Sequence, residues 1–368
     1  MDVMEDASRR EAAGDTVVHM EIGQPGARAP STVVAAAQAA LAEGRFGYTE
    51  ARGMRPLRER IARHYRKTYG VDIPESRVMV TTGSSGAFNL AFLGAFDPGD
   101  RIALTAPGYP AYRNILRALG LEPVEIPVGP DTRWILTPEL LEKAHREAPI
   151  RGVLVASPGN PTGTMMQPDA LKALCETARD LGITFISDEI YHGLVYEGET
   201  ASALQYWDDA IVVNSFSKYY CMTGWRIGWM ILPESLVRPV ERIAQSLVIC
   251  PPDISQRAGL AAFDATEELE VVKAGYARNR ALLLDRLPRI GFNELLPVDG
   301  AFYVYAGVRS FTNDSMDFAK RMLAEAGVAT TPGADFDHER GNGYIRFSFA
   351  GSHEDMELAT TRLKDWLG

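Results

Sequence analysis

The sequence predicts an α/β protein: a mostly parallel β-sheet covered on both faces by helices, joined to a smaller α+β part. Short apolar runs such as GVLVA (152–156) and AIVVN (210–214) alternate with helical stretches, the pattern of strands buried on both faces. Beyond about residue 265 the alternation stops, and a long helical stretch leads into two further strand candidates. A chain of 368 residues is long for one core. We therefore expect a large domain over 31–265 and a small domain built from 1–30 and 266–368.

The elements follow in order. The first residues, MDVMEDASRREAAG, are charged and helix-prone and lack the apolar core of a signal peptide. An apolar run at 17–22 leads into a Gly- and Pro-rich loop at 23–30. Helical patterns fall at about 31–43 and 54–69. A strand at 77–82 ends in Gly83-Ser84-Ser85-Gly86, and an apolar helix is expected over 87–96. The strand at 101–105 is closed by Ala106-Pro107-Gly108-Tyr109-Pro110. The strand at 152–156 enters Ser157-Pro158-Gly159-Asn160-Pro161-Thr162-Gly163. A helix at 168–181 precedes the strand 183–187 and Asp188, and the strand at 210–214 runs into Ser215-Phe216-Ser217-Lys218. The small domain offers a helix at 266–287 and strands at 301–305 and 343–348.

Composition narrows the function. With 48 acidic against 38 basic residues the net charge is −10, and no Lys/Arg run forms a basic arm, so nucleic acid is not an expected partner. Cys175, Cys221 and Cys250 form no C-x-x-C pair and no metal spacing, which fits a reducing compartment and predicts no metal site. No apolar stretch approaches the roughly 20 residues of a membrane span. A cytoplasmic location is expected.

In open α/β sheets, ligands bind where strands end. Four polar clusters sit at such ends: 83–86, 157–163, 188–191 and 215–218. Gly83 to Gly86, between strand and helix, suits an anion, because a helix N-terminus offers free N–H groups and partial positive charge. Alone it reads better as an N-cap and tight turn. A serine-hydrolase elbow fails, since Ala87 stands where G-x-S-x-G needs glycine. In 157–163 two prolines flank Asn160 and fix its backbone, more than a bare turn requires. Asp188 and Tyr191 lie one turn apart if a helix starts there, and the plain alternative makes Asp188 an N-cap. Lys218 follows an apolar strand, unlike an ordinary surface lysine, with Trp225 and Arg226 close behind.

These motifs, in this order, resemble the fold type I pyridoxal-phosphate enzymes, specifically the class I/II aminotransferases. The resemblance covers nearly the whole chain and rests on YTEARG (48–53), GSSG, PGYPAY (107–112), SPGNPTG, DEIY, SFSK with TGWRIG, and YIRFSF (344–349). It implies that Lys218 carries pyridoxal 5′-phosphate as a Schiff base and moves the substrate proton. Asp188 would pair with the pyridine nitrogen, while Asn160 and Tyr191 bond the 3′-oxygen and Tyr109 stacks on the ring. Ser84, Ser85, Gly86, Ser215 and Arg226 would hold the phosphate, with Ser217 a lesser candidate. Arg346, with Gly23 and Asn160, would bind the substrate carboxylate. Tyr48 would reach the phosphate of a neighbouring subunit in a homodimer with shared sites.

The chain departs from the family pattern in three places. Gln24-Pro25-Gly26-Ala27 stands where such chains often carry Glu-Pro-Asp-Phe, Tyr109 stands where several carry Trp, and the short N-terminal segment implies no arm over the site. Small Gly26 and Ala27 are expected to leave room near Gly23, with Arg28 a candidate for a distal carboxylate. The expected reaction is ping-pong transfer between an L-amino acid such as aspartate or alanine and a 2-oxo acid, with glutamate/2-oxoglutarate as one pair. The alternative is a carbon–sulfur lyase or decarboxylase of the same fold. A helix-turn-helix regulator is disfavoured, because only about 20 residues precede the Gly23 loop.

Overall fold

The computed structural model describes residues 2–368. It opens with helix α1 (Asp2–Ala12), strand β1 (Val18–His19), α2 (Ser31–Glu43) and α3 (Arg55–Tyr69). The last two stop at Gly44 and Gly70, whose left-handed backbones (φ 65° and 68°) turn their N–H groups back onto the final helical turn. The βα alternation follows: β2 (Val78–Thr81), α4 (Gly83–Ala95), β3 (Arg101–Ala106), α5 (Pro110–Ala118), β4 (Glu122–Pro127), α6 (Pro138–Glu147), β5 (Gly152–Ala156), α7 (Pro168–Asp180), β6 (Thr184–Asp188), β7 (Ile211–Ser215) and β8 (Gly228–Ile231). Then come α8 (Glu234–Val248), α9 (Asp253–Ala262), α10 (Thr266–Ile290), β9 (Tyr303–Gly307), α11 (Ser315–Arg321), β10 (Val328–Ala329), β11 (Thr331–Pro332), β12 (Tyr344–Ser348) and α12 (His353–Leu367).

Seven strands form one sheet in the order β2-β8-β7-β6-β5-β3-β4. All neighbours are parallel except β8, which runs antiparallel to both β2 and β7. The expected α/β class and mostly parallel sheet hold. Because side chains alternate along a strand, the two faces feed two cores. Val153, Val155, Phe185 and Val212 enter one, with Trp229 and Phe216. Leu154, Ile186, Val213 and Met230 enter the other, against α4 and α5. The parallel strands β3, β5, β6 and β7 therefore end along one edge, where 188, 157–163 and 215–218 meet.

A three-stranded antiparallel sheet, β11-β12-β9, carries the C-terminal strands. The apolar run at 17–22 supplies only β1, which pairs in parallel with β10, Val18 opposite Val328. Two local expectations change. Helix α4 takes in Gly83 to Gly86, because Gly83 (φ 72°) turns the chain directly off β2. Residues after Asp188 form a turn, not a helix, with Asp188 Oδ1 accepting the Ile190 N–H at 3.0 Å. Among the described residues no helix is long and apolar enough to cross a membrane.

Gly53 of YTEARG has a structural task. Its φ is 86°, and a Cβ there would lie 2.5 Å from Val80 Cβ. Gly53→Ala should lower unfolding stability by about 2–4 kcal/mol, read from urea titration. A midpoint equal to wild type would show that this backbone can relax.

Candidate active site

At the shared strand edge lies a cavity of about 320 Å³, within the range of small-ligand sites. Of the residues singled out from sequence, Gly23, Ser84, Ser85, Tyr109, Asn160, Asp188, Tyr191, Ser217, Lys218, Arg226 and Arg346 line it. Gly86, Ser215 and Tyr48 do not.

Lys218 sits in the turn after β7, where its Nζ donates to the Gly23 carbonyl and lies 5.9 Å from the centres of the Tyr191 and Phe302 rings. Burial pushes this amine down to about 8. Arg346 and Arg226 add to the fall, and Asp188 opposes it. Asp188 ends β6 on the opposite wall, and its Oδ2 accepts from the Tyr112 hydroxyl. Burial raises Asp188 to about 6, against the pull of Tyr112, the Ile190 N–H and Lys218.

A second wall suits an anion. The first turn of α4 carries neither a side-chain cap nor an acidic residue among the described residues, and Ser84 and Ser85 face the cavity. Arg226, in a left-handed backbone (φ 49°), lies so close that a Cβ on Gly83 would meet its Nη2 at 2.7 Å. A Cβ on Gly228 would meet the Ser84 nitrogen at 3.1 Å, so both glycines keep this cradle open. Ser217 faces the cavity, whereas Ser215 is 1% exposed. The Ser215 hydroxyl donates to the Ile227 carbonyl at 3.1 Å and lies 2.9 Å from the Ser217 hydroxyl, so it stands behind Ser217. Of the two, Ser217, the lesser candidate from sequence, is the one that lines the cavity. Gly86 likewise lies off the wall, where a Cβ would strike the Thr82 hydroxyl at 2.6 Å.

Arg346 projects from β12. Its Nη1 donates to Asn160 Oδ1 at 2.9 Å, and its Nη2 to the Glu21 carbonyl at 2.6 Å and Thr331 Oγ1 at 3.0 Å. The guanidinium lies 4.3 Å from the Tyr303 ring centre, and its Nε is buried with no partner among the described residues. Tyr303 also lies 2.8 Å, hydroxyl to hydroxyl, from Tyr191. Sequence reasoning missed Tyr112 and Tyr303. The first signal was visible in PGYPAY, where Tyr112 falls three residues after Tyr109 and hence on the same helix face.

Tyr48 is 82% exposed and stands outside this chain's own cavity. Gly26 does not make room for a ligand: its N–H donates to the Ala350 carbonyl at 2.9 Å, and a Cβ would meet that oxygen at 2.7 Å. Arg28 is exposed and outside the wall. The expectation of an uncovered site fails here. Helix α1 brings Val3 and Met4 into a second cavity, of about 290 Å³, that shares Gly23, Tyr109 and Arg346 with the first. Its remaining wall sets Ile22, Pro110, Pro332 and Phe336 beside Glu21, Thr330, Thr331 and Asp335, and most of its surface is apolar.

The comparisons with known proteins agree over the whole chain. The family model for aminotransferase class I and II matches residues 15–363. The valine–pyruvate aminotransferase of Mycobacterium tuberculosis is 50% identical, across 100% of this chain and 95% of that one. The crystal structure of an aminotransferase from M. tuberculosis superposes with a TM-score of 0.97 at 50% identity, covering 100% of this chain and 95% of the other. Aspartate aminotransferase from Thermus thermophilus with maleate gives 0.93 at 31% identity, covering 99% and 95%.

The two adjacent buried carboxyls make a prediction about pH. Asp188 is raised to about 6 and Glu189 to about 7, each by burial. Both hold protons more tightly folded than unfolded. Their contribution therefore favours folding below pH about 4 and is lost as pH rises through about 6 and 7. In the cofactor-free protein, Asp188→Asn should flatten the fall in stability between pH 4 and 6 by about 3 kcal/mol, read from urea midpoints across that range. An unchanged slope would remove Asp188 as its source.

Proposed function

The chain belongs to the class I and II aminotransferases, and from that premise we propose that it moves the amino group of an uncharged aliphatic amino acid, alanine or valine, to a small 2-oxo acid such as pyruvate. It is a pyridoxal-phosphate-dependent enzyme. The carrying observation is the convergence of Lys218, Asp188, Arg226 and Arg346 on one cavity beside an apolar one.

The residues present fit the cofactor. The α4 N-terminus, Ser84, Ser85, Ser217 and Arg226 form the cradle for its phosphate. Tyr109 offers a ring face, and Asp188, oriented by Tyr112 and the Ile190 N–H, offers a carboxylate for the pyridine nitrogen. With Asn160 Oδ1 held by Arg346, the Asn160 amide N–H₂ and the Tyr191 hydroxyl remain for the 3′-oxygen. When bound through the Lys218 amine, pyridoxal phosphate supplies an electron-accepting ring for the pair left when the substrate Cα loses its proton.

This chain's own groups then do the rest. Arg346 grips the α-carboxylate with its fork, joined by the Gly23 backbone, and so fixes which Cα bond faces Lys218. Lys218 Nζ, an amine that burial holds down to about 8, would be the base that takes the Cα proton. The buried aromatic wall of Tyr191, Phe302 and Tyr303 keeps water from that proton.

The substrate reading keeps alanine from the expected donors and sets aside aspartate and 2-oxoglutarate. A distal carboxylate in a buried pocket needs its own cation. The cations on the two cavity walls, among the described residues, are Lys218, Arg226 and Arg346, each already engaged, and Arg28 lies outside. The second cavity instead carries Glu21 and Asp335, which repel a carboxylate. The M. tuberculosis relative named for valine and pyruvate supports the same reading. In single turnovers, alanine and valine should aminate the loaded enzyme at least about tenfold faster than glutamate or aspartate, with Lys218→Ala inert to all four. Faster turnover with the dicarboxylates would sink the substrate reading, and full transamination by Lys218→Ala would sink the role of the lysine.

The same proposal includes a homodimer. Tyr48 and Phe46 lie exposed beside Leu247, Val248 and Ile249, because the Thr49 N–H meets Cys250 Sγ at 3.4 Å and joins the two stretches. Such a contiguous apolar patch suits a subunit contact, and would deliver Tyr48 to the partner's phosphate. Tyr48→Phe should loosen cofactor retention on dialysis while leaving the fold intact. A fully active monomer in sedimentation at assay concentration would refute the shared site.

A further inference from the structure

We infer that Met4, on the first helix, is a specificity-determining residue that sets the longest aliphatic side chain the enzyme accepts. The inference rests on the substrate reading above and adds the residue that limits it.

The geometry leaves one place for the side chain. A substrate held at its α-carboxylate by Arg346, with its amine toward Lys218, has one carbon substituent left on Cα. The cavity that shares Gly23, Tyr109 and Arg346 with the Lys218 cavity is where an apolar surface begins. Its walls differ in how firmly they are held. Phe336 is locked: its ring lies 4.9 Å from the Arg346 guanidinium and 6.1 Å from the Tyr305 ring, and its carbonyl accepts the Gly108 N–H. Pro332 is bound into β11, opposite Ile345. These surfaces set the pocket's width.

Met4 lines the same cavity from α1. Met4, Ala7 and Glu11 recur at helical spacing along one side of α1. The helix is seated by residues further along. Ala7 packs with Val17, Leu323 and Ala329, Arg10 Nη2 donates to the Ala324 carbonyl at 3.1 Å, and Glu11 meets His19 Nε2 at 3.1 Å. Val3 also leans on that seat, whereas Met4 is spared from it. Its side chain can therefore change size without releasing the helix. An unbranched thioether fits the position, since it adapts to side chains of different branching.

The test measures kcat/KM for alanine, valine, leucine and phenylalanine in wild type, Met4→Ala and Met4→Trp. Met4→Ala should raise the leucine-to-alanine and phenylalanine-to-alanine ratios by about tenfold, the scale of a hydrophobic subsite changed by a methylene or more. Met4→Trp should lower the leucine-to-alanine ratio by a similar factor. Ratios within about twofold of wild type in both variants would overturn the inference, whichever amino acid the wild type prefers. A wild type that favours glutamate while its ratios still move with Met4 would refute the substrate reading and leave this inference standing.

Discussion

One guanidinium ties the site together. Arg346 reaches from the C-terminal sheet to Asn160 on the loop after β5, to the Glu21 carbonyl beside the Gly23 loop, and to Thr331 in its own sheet. It is nearly buried, so leaving a donor unmatched would be costly. Three stretches of chain are held at hydrogen-bond distance from one charge. Gly23 and Asn160 owe their place around Lys218 to this fork.

Behind the wall, a buried network does for the Asn160 loop what Arg346 does in front. His192 Nε2 donates to the Ser157 carbonyl at 3.0 Å, and its Nδ1 accepts from the Tyr69 hydroxyl at 2.7 Å. Burial lowers the ring to about 3, which keeps it neutral and able to accept. Glu189, beside Asp188, is matched by the Ser202 hydroxyl, the Ala203 N–H and the Tyr65 hydroxyl. The stretch 188–192 thus faces two ways: Asp188 and Tyr191 toward the cavity, Glu189 and His192 toward the structure that braces it.

Much of this was legible in the sequence because parallel strands end on one edge, so that short polar motifs after apolar runs are brought together by topology alone. GSSG, SPGNPTG, DEIY and SFSK were readable for that reason. Tyr303 was not, because a tyrosine inside an apolar run reads as core until its hydroxyl is seen to meet Tyr191, and Tyr112, though in PGYPAY, gave no sign that its hydroxyl would meet Asp188. Which of Ser215 and Ser217 lines the cavity turns on the tight turn between them, a two-residue matter that spacing does not resolve. Gly26 was taken from its size as open space, while the structure fills that space with the Ala350 carbonyl. Helix α1 was legible as a helix but not in its place: in a charged segment, two apolar residues near the start gave no sign that they would face a cavity.

The bond between Arg346 and Glu21 joins residues 325 positions apart, and β1 must wait for β10 to form its pairing. A chain leaving the ribosome exposes its phosphate cradle and Lys218 well before either contact can close. The seven-stranded sheet can assemble on the nascent chain, domain-like units folding as they emerge. The substrate half of the pocket cannot. For the interval in which Lys218 is out and Arg346 is not, the wall that Gly23 and Asn160 share with Arg346 cannot close, so that side of the cavity is the last to be completed during translation.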